Sequence, residues 1–336
     1  VSQPGLLGPL DSVPPESQRA QSSPSRANFS KNWRPDDWPG AARGRLPRLW
    51  WLSLLLLLCT AVTTTVFGSA LVSSFALGRA FNQQDLVDSF IQLLNGDKNL
   101  LRGVLFSGPL LLILMAHEMG HYIACMRRGV DATLPYFLPS PTLFGTLGAF
   151  IRIKTPIYTR RDLFDIGAAG PFAGLLALLP FLAFGVWASR PLAAGTDPEA
   201  ILVGTPLALR ALEWWRFGAA GSSHVLLHPM AIAGLAGLLV TALNLLPLGQ
   251  LDGGHIVYAV FGERGHRMIS TVMVALLVLM GKFYWPWWIW AVVMFFLGRR
   301  HPLVFDNRPP GAARRWLAAA ALAVFVLSVS LVPTRI

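Results

Sequence analysis

Apolar residues in this chain come in long blocks, not at the spacing of a surface helix or a half-buried strand. The first block runs from about Leu49 to Val72, the second from about Gly103 to Met126, the third from about Ile166 to Ala188, and the fourth from about His228 to Leu248. Blocks of roughly 20 residues match the hydrocarbon thickness of a bilayer when wound as α-helix. Two shorter pieces follow, about Met268 to Met280 and Phe283 to Leu297, split by Gly281-Lys282, and a last block covers about Trp316 to Val332. The pattern predicts an all-α polytopic membrane protein of about seven transmembrane helices, with the two short pieces forming a tight hairpin. One apolar stretch does not fit a helix: Leu134 to Lys154 is broken by Pro135, Pro139, Pro141, Gly145 and Gly148. Gly148 to Lys154 reads as a short strand, and the stretch as a small re-entrant or interfacial β-hairpin. Non-helical backbone at membrane depth is tolerated only where protein covers it or it lines a cavity.

The polar segments divide the rest. Residues 1–45 are rich in Pro, Ser, Gln and Gly without periodicity, a composition that predicts a disordered N-terminal tail. Residues 46–102 make a first transmembrane anchor and an outer loop, 103–260 form the central unit, and 261–336 supply C-terminal transmembrane helices. The connection Ser189 to Leu227, with its aromatic patch Trp214-Trp215-Arg216-Phe217, reads as a loop.

Composition supports a membrane location. The chain is 54% hydrophobic and 13% charged, where soluble domains carry about 25% charge. The net charge of +11 rests on 28 Lys and Arg, all but four of them Arg. In such a chain, basic residues mark cytoplasmic loops rather than a nucleic-acid surface, so no nucleic-acid partner is expected. With the tail inside, the inner connections hold thirteen Lys and Arg and the outer ones seven. This asymmetry favours a multi-pass protein of the cell (inner) membrane with the inner ends of the second and fourth blocks facing the cytoplasm. Cys59 and Cys125 lie on different apolar blocks and give no disulfide framework.

The candidate chemistry lies near the end of the second block, in His117-Glu118-Met119-Gly120-His121. H-E-x-x-H on a helix stacks two imidazoles on one face, where both can hold one Zn²⁺, with the glutamate placed as general base. Ionisable groups inside a membrane are costly and mark function. A catalytic zinc takes a third protein ligand. The second and fourth blocks run in the same direction, so His121 and Asp252 finish at comparable depths, and Gly253-Gly254 permit a tight turn. Asp252 is the best third ligand; the alternative is a helix cap. His255 is a candidate neighbour of the site, whereas His224, His228, His266 and His301 read as loop residues. Asp162, Asp165 and Glu213 read as capping or interface groups.

H-E-x-x-H in one span, paired with Asn244-Leu245-Leu246-Pro247-Leu248-Gly249-Gln250-Leu251-Asp252-Gly253-Gly254 in a later one, resembles the site-2 protease family of intramembrane zinc metalloproteases. The glycine-containing stretch Gly145 to Phe150, Arg161 to Gly167 and Ala169-Gly170-Pro171 look like its PDZ-less bacterial and plastid branch. The resemblance covers about residues 100–260. It implies one Zn²⁺ held by His117, His121 and Asp252, with Glu118 as general base. It also implies that Asn244 and Gly148 position substrate; the alternative for Asn244 is a polar group bonding between helices. It makes 103–260 a catalytic intramembrane core, with transmembrane protein substrates and the lipid bilayer as partners. The competing reading is a membrane zinc transporter or sensor in which the motif only binds metal. A prenyl-protein type of membrane zincin would use a glutamate as third ligand, and no such second motif follows.

Overall fold

The computed structural model describes residues 50–141, 143–192, 202–221, 225–297, 304, 306, 308–330 and 334–335. The tail 1–45, His224 and His301 lie outside the described residues. The chain is mainly helical. Helix α1 is Trp50–Ala76, α2 is Gln83–Leu94, and a 3₁₀ turn at Lys98–Gly103 leads into α3, Val104–Arg127. Strands β1 (Tyr136–Pro139) and β2 (Thr146–Phe150) form a hairpin before α4, Arg160–Ala188. Short strands β3 (Arg190–Pro191) and β4 (Leu202–Val203) precede α5, Leu207–Gly221, and β5 (Val225–Leu226) precedes α6, Pro229–Asn244. Helices α7 (Asp252–Met280), α8 (Pro286–Leu297) and α9 (Ala312–Ser328) follow, and β6 (Thr334–Arg335) pairs with β4.

Among the described residues, three helices are long and apolar enough to cross a membrane: α1, the 3₁₀ turn together with α3 (Lys98–Arg127), and α4; α6 and α8 are apolar but shorter. Helix α4 is central and packs against α3, α6 and α7. Its neighbours approach closely where side chains are small, as is usual between membrane helices. At Gly185 a Cβ would stand 2.2 Å from Ala231 N of α6, and at Gly68 of α1 it would stand 2.3 Å from Gly103 O at the foot of α3. Around these crossings lie two apolar clusters. Phe67 and Leu71 pack with Phe106, Leu110 and Leu114, and Ile113 packs with Leu178, Leu182 and Leu235. Many large apolar side chains stay exposed, including Leu176 of α4 and Trp288, Val292 and Phe296 of α8. Faces of this kind suit lipid contact, since none of the described helices covers them.

The elements differ from the sequence reading in four places. The strand expected at Gly148 to Lys154 is β2, Thr146–Phe150, antiparallel to β1 with Tyr136 opposite Phe150. The ladder stops there, and pairing resumes around a bridge between Ala132 and Ile153, with Thr133 N–H donating to Arg152 O at 3.0 Å and Lys154 N–H to Asp131 O at 2.8 Å. The supposed loop Ser189 to Leu227 contains α5, which buries Leu209 and Glu213, one turn apart, and exposes Trp214 and Trp215. The block expected from Met268 is the second half of α7, which starts at Asp252 and breaks at Gly262, where φ is 74°. Hydropathy missed the continuity because Glu263, Arg264 and Arg267 are exposed just after the break. Helix α6 ends at Asn244, before the Leu248 expected, because residues 245–251 turn back toward α7.

The ends of the elements sort into two groups. Arg128 at the end of α3, Asp162 and Asp165 at the start of α4, and Arg314 at the start of α9 form one ion-pair network. Arg128 binds Asp162 and Asp165, and Arg314 donates to both Asp165 carboxylate oxygens, at 2.7 and 2.8 Å. Thr159 bridges Asp306 at the same end. At the other end the β4–β6 pair ties the segment after α9 to the connection after α4.

Candidate metal centre

His117 and His121 sit one turn apart on α3, and both are buried together with Glu118. Their ring centroids are 4.9 Å apart. Histidine ring orientation is set by what the second nitrogen binds. His121 Nδ1 donates to the Ile166 carbonyl of α4 at 2.8 Å, which leaves Nε2 with its lone pair facing inward.

Asp252 is the first residue of α7, and it enters the site because of the turn before it. Two side chains from beyond the Gly262 break hold that turn. His266 Nε2–H donates to Gly249 O at 3.1 Å, and Ser270 Oγ donates to Pro247 O at 3.0 Å. His266 is therefore a buried helical residue rather than a loop residue. The spacing of 266 and 270, one helical turn, was the available signal. His228 is the N-cap of α6, its Nδ1 accepting from Met230 N.

The donor atoms converge tightly. Asp252 Oδ2 is 3.3 Å from His117 Nε2 and 3.3 Å from His121 Nε2, and the two Nε2 atoms are 3.2 Å apart. Metal–ligand bonds of about 2.0–2.1 Å in a tetrahedral site set donor–donor edges of about 3.3 Å. The triangle therefore has the size of one face of a zinc tetrahedron, and two imidazole nitrogens with a carboxylate oxygen are a donor set zinc accepts. Among the described residues these three form the group of ligating side chains with that convergence.

Helix α4 leaves room for the imidazoles. A Cβ at Gly170 would lie 2.0 Å from His121 Nε2, and one at Gly174 would lie 3.0 Å from His117 Nδ1.

Of the other candidates, Glu118 lies beside the triangle, with the Ile151 backbone just past β2 next to its carboxylate. Asn244, the last residue of α6, places Nδ2 3.1 Å from His117 Nε2. Gly148 stands apart from this group, on the hairpin, with φ of 104° and its N–H donating to Thr146 Oγ1 at 3.0 Å. His255 lies under Gly167 of α4, whose Cβ would be 2.8 Å from its own. Cys125 is buried among Val130, Ala132 and Ile166 and packs there.

The comparisons fit this geometry. The model of peptidase family M50 matches residues 105–283. The chain is 34% identical over 224 residues to the Arabidopsis thaliana protein named "Probable zinc metalloprotease EGY1, chloroplastic", covering 64% of this chain and 40% of the relative. It is 32% identical over 233 residues to the rice (Oryza sativa subsp. japonica) protein of the same name, 66% of this chain and 39% of the relative. It is 33% identical over 222 residues to "Probable zinc metalloprotease EGY2, chloroplastic" of Arabidopsis thaliana, 65% of this chain and 38% of the relative. The chain spans about 40% of the length of these relatives. No solved structure matches it.

Proposed function

The chain belongs to peptidase family M50, and from that premise we propose that it is an intramembrane zinc metalloendopeptidase that hydrolyses peptide bonds of transmembrane protein substrates. The observation that carries the reading is the 3.2–3.3 Å triangle of His117, His121 and Asp252 with Glu118 beside it. One Zn²⁺ per chain would be held by those three side chains. Bound there, zinc supplies Lewis-acid polarisation of a carbonyl and a lowered pKa for water.

The chain's own residues do the rest. Glu118 takes the proton from the attacking water and later delivers it to the leaving amine nitrogen. The Ile151 amide holds the Glu118 carboxylate in place for both transfers. Asn244, at the rim of the triangle, offers an amide to the substrate backbone. A substrate arriving as a helix has its amides hydrogen-bonded, so it must be unwound and paired with something else. In the two-stranded sheet, β1 occupies one edge of β2, and among the described strands the other edge is unpaired. That edge leads to Ile151 and so to Glu118, which suits an extended substrate strand. Gly148 shapes this edge.

The positions of the element ends support a seven-crossing arrangement. Helices α1, α3, α4, α6 with the start of α7, the rest of α7, α8 and α9 would each cross once. The inner side then holds the Arg128–Asp165–Arg314 network and the outer side holds α2, α5 and the β4–β6 pair. With the loop charges, this supports a multi-pass inner-membrane protein whose site opens toward the cytoplasm. The chloroplast location in the relatives' names is theirs.

The test compares membrane proteomes of cells carrying the wild-type chain and Glu118→Gln, alongside the zinc content of each purified protein. Single-span proteins should accumulate uncut with Glu118→Gln while zinc stays at one per chain. An unchanged membrane proteome with normal zinc content would leave a transporter or sensor.

A further inference from the structure

Asp252 opens a helical stretch that ends at a break, and an arginine from another helix closes that end. At Gly262 φ is 74° and ψ is −174°, so α7 is two helices in series. The last carbonyls of the first one cannot all find an amide one turn further on. Arg160, in the first turn of α4, is 8% exposed and reaches into that gap. Its Nε–H donates to Ala259 O at 2.8 Å and an Nη2–H donates to Val260 O at 2.9 Å. Its guanidinium carbon also lies 3.8 Å from the Cβ position of Gly262. A cation there meets the negative end of the helix dipole, and the planar fork engages two carbonyls in one fixed geometry.

The same helix that carries Arg160 registers the two histidines. Ile166 O accepts from His121 Nδ1, and Gly170 and Gly174 lie against the two rings. Between these and Arg160, Gly167 meets His255 of α7 closely. Both ligand-bearing segments are thus indexed against α4. From Asp252 to Val260 is a stiff helical rod of about 12 Å. A slip of the rod along its axis at Ala259 and Val260 would move Asp252 by the same amount, and metal sites tolerate only about 0.2 Å in ligand distance.

We propose that Arg160 is a positioning residue for the metal centre, setting the depth at which Asp252 Oδ2 meets His117 and His121. The proposal rests on the reading of Asp252 as the third metal ligand. The test uses the full chain in detergent, stripped of metal, and titrates Co²⁺ by visible absorption, then zinc by competition. Each variant is measured below its own melting temperature. Asp252→Asn should weaken cobalt binding and change the spectrum. Arg160→Gln should weaken binding about ten-fold or more, the range in which loss of a ligand-orienting partner falls, and Arg160→Lys should fall between it and wild type. If Asp252→Asn binds cobalt like wild type, the third-ligand reading fails. If Asp252→Asn weakens binding and Arg160→Gln lowers only the melting temperature, with affinity and spectrum unchanged, Arg160 has a purely structural role and the proposal alone fails. Should Arg160→Gln not fold, wild-type affinity in Arg160→Lys overturns the proposal.

Discussion

At Gly170 a Cβ would lie 2.0 Å from His121 Nε2 and 2.4 Å from Cδ2, inside the ring itself. The imidazole has no escape that keeps its function, because its Nδ1 is bound to Ile166 O and its Nε2 is a corner of the donor triangle. Gly170→Ala should therefore lose zinc, measured as metal per mole of purified protein. Gly108→Ala on α3, whose Cβ would meet only Val104 Cγ1 at 3.6 Å, should keep it. Zinc at one per chain in Gly170→Ala would show that the ring has another place to go. A second residue carries a pH signature. Glu213 of α5, outside the long apolar helices, is 3% exposed. Burial pushes its carboxyl up to about 7 despite Arg210 nearby. Its unfolded counterpart ionises near the usual carboxylate range, so between there and about pH 7 the folded state holds the extra proton and stability falls as pH rises. Above that window the penalty is constant, at most about 3.5 kcal/mol at ~1.4 kcal/mol per pKa unit. Glu213→Gln should raise the melting temperature at pH 8 and leave it nearly unchanged at pH 4. Equal shifts at both pH values would dismiss ionisation as the cause.

At the scale of elements, the hairpin is the part whose backbone is most constrained. Phe144, Gly145 and Gly148 all have positive φ, and Gly145 O accepts from Thr63 Oγ1 of α1 at 2.7 Å, which ties the turn to the first helix. Proline placed in turn at Leu147, Ala149 and Ile151 removes one amide each from β2 or from the contact to Glu118. Cleavage of a single-span substrate should fall at one or more of these positions while zinc content holds; cleavage at the wild-type rate in all three would exclude the β2 edge from substrate handling. The Pro and Gly interruptions made this hairpin visible in the sequence, because a helix takes an isolated Pro, as α3 does at Pro109, but not three Pro and two Gly within fifteen residues. Its exact strand was not visible, since pairing partners are a tertiary fact. Helices α1, α3 and α4 were legible from apolar length alone. The start of α7 and all of α5 were not, because Asp252 and His255 in the one and Arg210, Glu213 and Arg216 in the other lower the local hydropathy.

Across the whole molecule, the metal centre joins residues 135 positions apart in sequence. The motif pointed to two of the three converging donor side chains, and the parallel course of the second and fourth apolar blocks pointed to Asp252. What the sequence withheld was the means of registration: His266, Ser270, Ile166 and Arg160 act through backbone carbonyls, and nothing in a side-chain pattern marks a carbonyl that needs a donor. The same logic of shared ends bears on topology. The network of Arg128, Asp165 and Arg314 puts the starts of α4 and α9 together, whereas β4–β6 puts the far end of α9 with the connection after α4. If α9 crosses the bilayer and loop charges set the orientation, sites at the two ends must answer to opposite sides. Single cysteines can test this in a background lacking Cys59 and Cys125. A membrane-impermeant maleimide added to intact cells stripped of any outer wall should label cysteine at Lys98 or Arg216. Cysteine at Arg161 or Arg308 should react only after permeabilisation. All four positions are exposed on the protein, so burial does not block the reagent. Labelling of Arg308→Cys from outside together with Arg216→Cys would break the odd crossing count, and a full reversal of the pattern would keep seven crossings but turn the metal centre toward the outer side.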